Sequence, residues 1–402
     1  MNGMAFLRCL SLAVALAAGA GLRADNTRKE EKMKPLDHQK TPLPENPPIR
    51  FKKVFAIEQQ HEGQGFGLLE FSPDGTTLAA SRWGGHRNHD VTLWDVQKRS
   101  LRHILPHTEN TADMIGAIAF VPPGDRLVTA CLNLNKVFLW DVRSGNLLDT
   151  LDTSGKPDYS INSITGLAAF PDGKRVIICA RTGLTVWDLE AKTHHTLPLD
   201  EHVPLAPGEK RAIPRFCSRV AFTADGSRFA TSVRDTRFAP RILLWDANTS
   251  RVTGMIPTGI GNFHFAYAPD GSSIAADQYA PQGGQGSLVN VWDPATQKKI
   301  LSGSIFGSLF DFVYTRDGKY LLVAGKHMPQ GTPTDDPVIG VWDVASGKVV
   351  NCVKPVGIGP IHLAVSPDNK LLAVPRRNID VYAIEYARQS QGSPKAPPRP
   401  KP

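Results

Sequence analysis

An all-β fold of repeated sheets is what the sequence predicts, on three observations. A Trp-Asp pair closes an apolar stretch at Trp94, Trp140, Trp187, Trp245, Trp292 and Trp342, at intervals of 46, 47, 58, 47 and 50 residues. A tight-turn signal returns seven times, at Ser72-Pro73-Asp74-Gly75, Pro122-Pro123-Gly124-Asp125, Pro171-Asp172-Gly173, Ala224-Asp225-Gly226, Pro269-Asp270-Gly271, Arg316-Asp317-Gly318 and Pro367-Asp368-Asn369. Gly 35 and Pro 32 stand above average usage, which suits many turns between short strands and argues against helices. Length alone would suggest two or three domains for 402 residues, but repeated units that share one continuous core count as one.

The first unit shows the grammar. Gly67 to Phe71 reads as a strand, Ser72 to Gly75 as a turn, Thr77 to Ala80 as a second strand, Val91 to Trp94 as a third and Leu101 to Leu105 as a fourth. Pro presets φ and Gly accepts positive φ, so the turn chemistry is sound, and four short strands make one meandering sheet. The seventh unit keeps a third strand, Ile379 to Ile384, with Tyr382 where Trp would stand, and then lacks a fourth. Phe51 to Ile57 precedes the first unit without a partner of its own. If it completes the seventh sheet, the ring closes and no edge strand is exposed. The predicted fold is therefore a seven-bladed β-propeller whose last blade is closed by an N-terminal strand. Trp94, Trp140, Trp187, Trp245, Trp292, Trp342 and Tyr382 are its structural aromatics.

Residues 1–24 read as an export signal, with Arg8 ahead of the apolar run Leu10 to Leu22 and cleavage expected after Ala20 or Ala24. The run is shorter than the roughly 20 residues of a membrane-spanning helix, and no span is expected after cleavage. A periplasmic or secreted location follows. Residues 25–49 are a charged, proline-rich linker, residues 50–386 the ring, and residues 387–402 a basic, proline-rich tail with disordered, polyproline-like character. The signal and tail carry six of the eight net positive charges and the linker is balanced, so the ring holds only about +2. That distribution does not point to nucleic acid. Cys131, Cys179, Cys217 and Cys352 lie in or beside apolar strands of different units. An even number in an exported chain invites a disulfide reading, yet buried thiols are the reading we favour here.

On the six Trp-Asp pairs and seven Asp-Gly-type turns, residues 50 to about 386 resemble a WD-repeat protein of the divergent bacterial kind. The chain lacks that family's Gly-His dipeptide upstream of each strand set, and the usual Asp six residues before Trp is not evident. The blades are therefore expected to rest on packing of the tryptophans and aliphatic strands more than on the family's His-Ser-Asp-Trp hydrogen-bond network.

In such a ring the first-to-second and third-to-fourth connections share one face and are short, as Val142 to Gly145 and Val344 to Gly347 illustrate. The other face takes the long, individual connections, where binding residues are expected. Its candidates are Trp83, His86 and Arg87 in the first blade, Arg234 and Arg237 in the fourth, Tyr279 in the fifth and His327 in the sixth, aromatic and Arg types that anchor interfaces. A further excursion, Asp200 to Phe216, joins the third blade to the fourth.

Motifs for chemistry are weak. His86 with His89, or His194 with His195, lack a third ligand, so no metal is expected. Asp335 and Asp336 read as a solvated loop, Gly283 to Gly286 is not a phosphate loop, and no nucleophile elbow or His-Glu-x-x-His motif occurs. The expectation is an exported, monomeric, non-enzymatic propeller without cofactor, acting as an interaction scaffold for a protein or envelope component. The alternative is a propeller enzyme or small-ligand binder using its central channel, as lactonases and quinoproteins of other propeller families do, with His264, Asp311 and His362 on the first strands as channel residues.

Overall fold

The computed structural model describes residues 44–387 apart from 59–64, 84–89, 108–113, 132–135, 153–163, 181–182, 198–215, 235–239, 259–260, 280–286, 307, 327–336 and 354–361. The export segment, most of the linker and the tail beyond Ala387 thus lie outside the described residues. So do His86, Arg87, His89, Arg237, His327, Asp335, Asp336 and the stretch Gly283 to Gly286.

Seven four-stranded antiparallel sheets make a seven-bladed β-propeller, and no helix occurs among the described residues. Blade 1 runs Gly65–Phe71, Thr77–Trp83, Val91–Asp95 and Ser100–Leu105. The innermost strands of blades 2 to 7 are Ile115–Val121, Gly166–Ala169, Phe216–Phe222, Gly261–Tyr267, Ser308–Tyr314 and Ala364–Val365. Blade 7 closes as the sequence predicts: Ile49–Ile57 pairs antiparallel with Ile379–Tyr386, from Ile49 opposite Tyr386 to Ile57 opposite Ile379.

The core is divided among the seams. Seven hydrophobic clusters sit one at each blade interface, and each receives one third-strand aromatic from the later of its two blades. Trp187 enters the seam of blades 2 and 3, Trp245 that of 3 and 4, and Tyr382 that of 6 and 7. None of the seven is more than 9% exposed. Each burial removes roughly 150–250 Å² from water, a gross gain on the order of 4–6 kcal/mol. The closing strand serves two seams, with Ile49 in that of blades 6 and 7 and Ile57 in that of blades 7 and 1.

Polar groups supplement this packing more than the missing dipeptides suggest. The indoles of Trp94, Trp140 and Trp245 donate to the hydroxyls of Thr92, Thr129 and Thr231, each at 2.9 Å. In blade 2 the Thr129 hydroxyl also bonds His107 Nε2 at 2.5 Å, which builds a local His-Thr-Trp chain. Trp342 Nε1 is buried without a hydrogen-bond partner among the described residues, so the device is not uniform. The aspartate of each pair has a separate task. Asp95, Asp141, Asp246 and Asp343 accept the amides of Lys98, Ser144, Thr249 and Ser346 at 2.8, 2.6, 2.8 and 2.7 Å. They cap the third-to-fourth turns by Asx-type bonding.

Two expectations need correction. Cys179 and Cys217 are joined by a disulfide with Cα atoms 5.4 Å apart, whereas Cys131 and Cys352 are outside any disulfide. The second strand of blade 3 faces the innermost strand of blade 4, and that opposition across a seam brings together residues 38 apart in sequence. The second correction is that the long-connection face is uneven. Ala180 and Gly183 are separated by two residues in blade 3, only one residue separates Phe306 from Ser308, and Arg376 to Asn378 is a short bend in blade 7.

Candidate functional site

The seven tight turns share a register mark. The amide of Gly75, Gly124, Gly173, Gly226, Gly271, Gly318 or Asn369 donates to the carbonyl of the residue three before it. Counting four residues back from those carbonyls gives Leu68, Ala117, Gly166, Arg219, His264, Asp311 and His362. Blades 4 to 7 therefore put ionisable side chains at one level, on the innermost strand in blades 4 to 6 and, as His362, two residues ahead of Ala364–Val365 in blade 7, and blades 1 to 3 put none there. Pairing of the innermost strand shifts beside this level, between Cys217 and Arg219 and between Leu309 and Asp311. Such bulges re-aim a side chain. The following residues, Val220, Phe265, Phe312 and Leu363, turn the other way into the seams and are buried.

The four side chains form a belt. Arg219 Nη1 and Nη2 each lie 3.3 Å from Asp311 Oδ1, and Nη2 lies 3.4 Å from His362 Nε2. Blade 5 stands between blades 4 and 6 in the ring, so this pair reaches across the channel rather than along a seam. Asp311 Oδ2 accepts the Leu363 amide at 2.8 Å, which ties blade 6 to blade 7. A guanidinium can only donate, so His362 Nε2 is the acceptor and the ring proton sits on Nδ1. Among the described residues that Nδ1 and Nδ1 of His264 are buried without a hydrogen bond, although Asp277 Oδ2 lies 4.0 Å from the latter.

Electrostatics follow from the enclosure. Burial opposes the Asp311 carboxylate, but His362, Arg219, His264 and the Leu363 amide more than offset it, and its pKa lies below the usual value. Burial, aided by the Arg219 charge, pushes His264 down to about 4. Burial likewise lowers His362, against the pull of Asp311. Both imidazoles are neutral at pH 7, and Arg219 with Asp311 is the belt's ion pair.

Two residues nearer the turns, the same strands present Glu70, Ala119, Ala168, Ala221, Ala266, Val313 and Ala364. Glu70 is the one ionisable group at this level. Its side chain is partly accessible but walled by protein, and that desolvation raises its pKa to about 8, against the opposing pull of the Phe120 backbone and Arg316. It is a neutral acid at pH 7.

Of the channel residues expected from sequence, Asp311 and His362 come together, and His264 joins them at the same level with its amide bonded to Asp277 Oδ1 at 3.0 Å. Arg219 and Glu70 were not anticipated. Aligning the seven units on their turns and reading down each column exposes both. Of the interface residues, Trp83, Arg234 and Tyr279 end the second strands of blades 1, 4 and 5, at matching ends; their side chains lie outside the described residues. His194 and His195 are neighbours on an exposed strand and point to opposite sides of it. Among the described residues no group of three or more His, Cys, Asp or Glu is arranged to hold a metal ion.

Neither a protein-family model nor a curated protein sequence matches the chain. The seven sheets and their strand closure are what establish its architecture.

Proposed function

We propose that this chain is an exported, non-enzymatic propeller of the WD-repeat kind that works as a monomeric interaction scaffold and holds a protein or envelope component on the face carrying its second-to-third and blade-to-blade connections. The observation that carries this reading is the polarity of the ring. At one end the tight turns are sealed by aspartate caps, and at the other the second strands of blades 1, 4 and 5 end in Trp83, Arg234 and Tyr279. A rigid scaffold with variable residues at one end suits recognition by surface complementarity. The Trp-Asp caps and the His107-Thr129-Trp140 chain support the WD-repeat reading. The disulfide supports export, since such bonds persist in oxidising compartments. Cross-linking in the native cells, repeated with Trp83→Ala/Arg237→Ala and with residues 203–214 deleted, tests it. Capture should fall while thermal stability stays near that of the parent. Undiminished capture by both variants would remove this face from consideration.

The channel belt favours a second reading, in which the channel holds a small ligand: two imidazole nitrogens with no hydrogen bond among the described residues stand beside an ion pair at one level of the axis. A ligand-induced thermal shift that disappears in Arg219→Ala would favour it.

A further inference from the structure

A cleft of about 240 Å³ opens between blades 4 and 5 at the short-turn end of the ring. Its walls include Arg228, Asp246, Tyr267 and Gln297, with Leu244 and Pro294 as apolar surface. Tyr267 is 8% exposed, and its hydroxyl is buried with no hydrogen-bond partner among the described residues. Leaving such a group unmade costs about 1–3 kcal/mol, and the chain itself shows the usual remedy. One blade further on, Tyr314 occupies the equivalent position, and its hydroxyl bonds Ser273 at 3.2 Å. The residue equivalent to Ser273 opposite Tyr267 is Arg228. It makes no side-chain hydrogen bond or ion pair among the described residues, and its guanidinium reaches over the turn at Gly271. One seam is satisfied internally; its neighbour is left open, with a cavity.

We propose that this cleft is a binding site for a small, neutral polyhydroxylated ligand of monosaccharide size. Charge decides against a simple anion, because Arg228 is matched by Asp246 in the same wall. Asp246 Oδ1 is taken up by the Asn248 and Thr249 amides, which leaves Oδ2 as an acceptor for a ligand hydroxyl. Arg228 and the Gln297 side-chain amide supply donors, Leu244 and Pro294 supply apolar surface, and the Tyr267 hydroxyl gains the partner it lacks. Arg228 has no side-chain partner among the described residues, so it can shift onto a ligand hydroxyl at little cost and open the way to Tyr267. Size also decides: the volume falls below the roughly 300 Å³ at which pockets for drug-sized ligands begin, yet equals about eight water volumes at ~30 Å³ each. The site is separate from the proposed partner face, at the opposite end of the strands, so either can fail without the other.

Saturation-transfer NMR on the full chain, with glucose, galactose, mannose and N-acetylglucosamine as probes and sodium acetate as the anion arm, tests this. At least one sugar should receive saturation on its ring protons. Tyr267→Phe and Arg228→Ala should each weaken that sugar roughly tenfold, the loss of one good hydrogen bond. Tyr267→Phe should melt no lower than the parent, because it deletes an unpartnered hydroxyl. Tyr314→Phe should melt lower and bind the sugar unchanged. Absence of transfer to every sugar, or parent-like sugar binding by both Tyr267→Phe and Arg228→Ala, overturns the site. Preference for acetate overturns the assignment of a neutral ligand.

Discussion

Removing the Asp311 carboxylate is the sharpest test of the belt. Asp311 is 1% exposed, carries the Arg219 guanidinium on one oxygen and the Leu363 amide on the other, and so joins blades 4, 6 and 7. Asp311→Ala strands both partners. Breaking a fully buried ion pair costs about 3–5 kcal/mol. The Arg219 side chain is 24% exposed and its contacts are a long 3.3 Å, so the lower part of that range applies. About 1–3 kcal/mol for the orphaned Leu363 amide overlaps with it rather than adding in full. A total near 3 kcal/mol, at roughly 0.7 kcal/mol per degree for a ring of this length, lowers the melting temperature by about 4 °C. Asp311→Asn keeps an acceptor for Leu363 and should lose about half as much. Differential scanning calorimetry at pH 7 reads both. A melting temperature for Asp311→Ala within a degree of the parent would refute the belt as a brace, and equal losses for both variants would refute the part assigned to Leu363.

Three further outcomes are expected. Glu70 has a raised pKa, so the folded ring holds a proton that the unfolded chain releases above about 4.5, and stability declines as pH rises from there to about 8. Glu70→Gln should melt like the parent at pH 4.5 and above it at pH 8, and parallel melting curves across that range would contradict the raised pKa. Reduction of Cys179 with Cys217, or their replacement by Ser, opens a constraint between residues 38 apart in sequence. That should cost up to about 4 kcal/mol and 5 °C, measured by thermal melts with and without reductant beside thiol counts. Deleting residues 1–57 strips the partner from Ile379–Tyr386 and removes Ile49 and Ile57 from two seams. The shortened chain should associate or precipitate through the bared edge in size-exclusion chromatography, and a stable monomer with the parent's melting temperature would show that closure contributes little.

The ring is legible in the chain because its physics is local and repeated. A turn needs Asp and Gly at fixed offsets, a third strand needs an aromatic to fill its seam, and an unpaired strand such as Ile49–Ile57 needs an edge. Those requirements recur at each unit and can be read without knowing where the units meet. The interior is different. Arg219, His264, Asp311 and His362 look like isolated polar residues in apolar strands. They become a belt only because closure brings four strands to one axis. Glu70 is unremarkable until six small apolar side chains surround it at the same level. The Cys179–Cys217 bond and the contrast of Tyr267 with Tyr314 likewise belong to seams, where each partner comes from a different blade. The sequence by itself determined the number of blades, their turns and how the ring is shut, because each follows from short-range chemistry. Which side chains share a channel, a disulfide or a cleft was decided by tertiary structure alone, since blade-on-blade packing sets those distances.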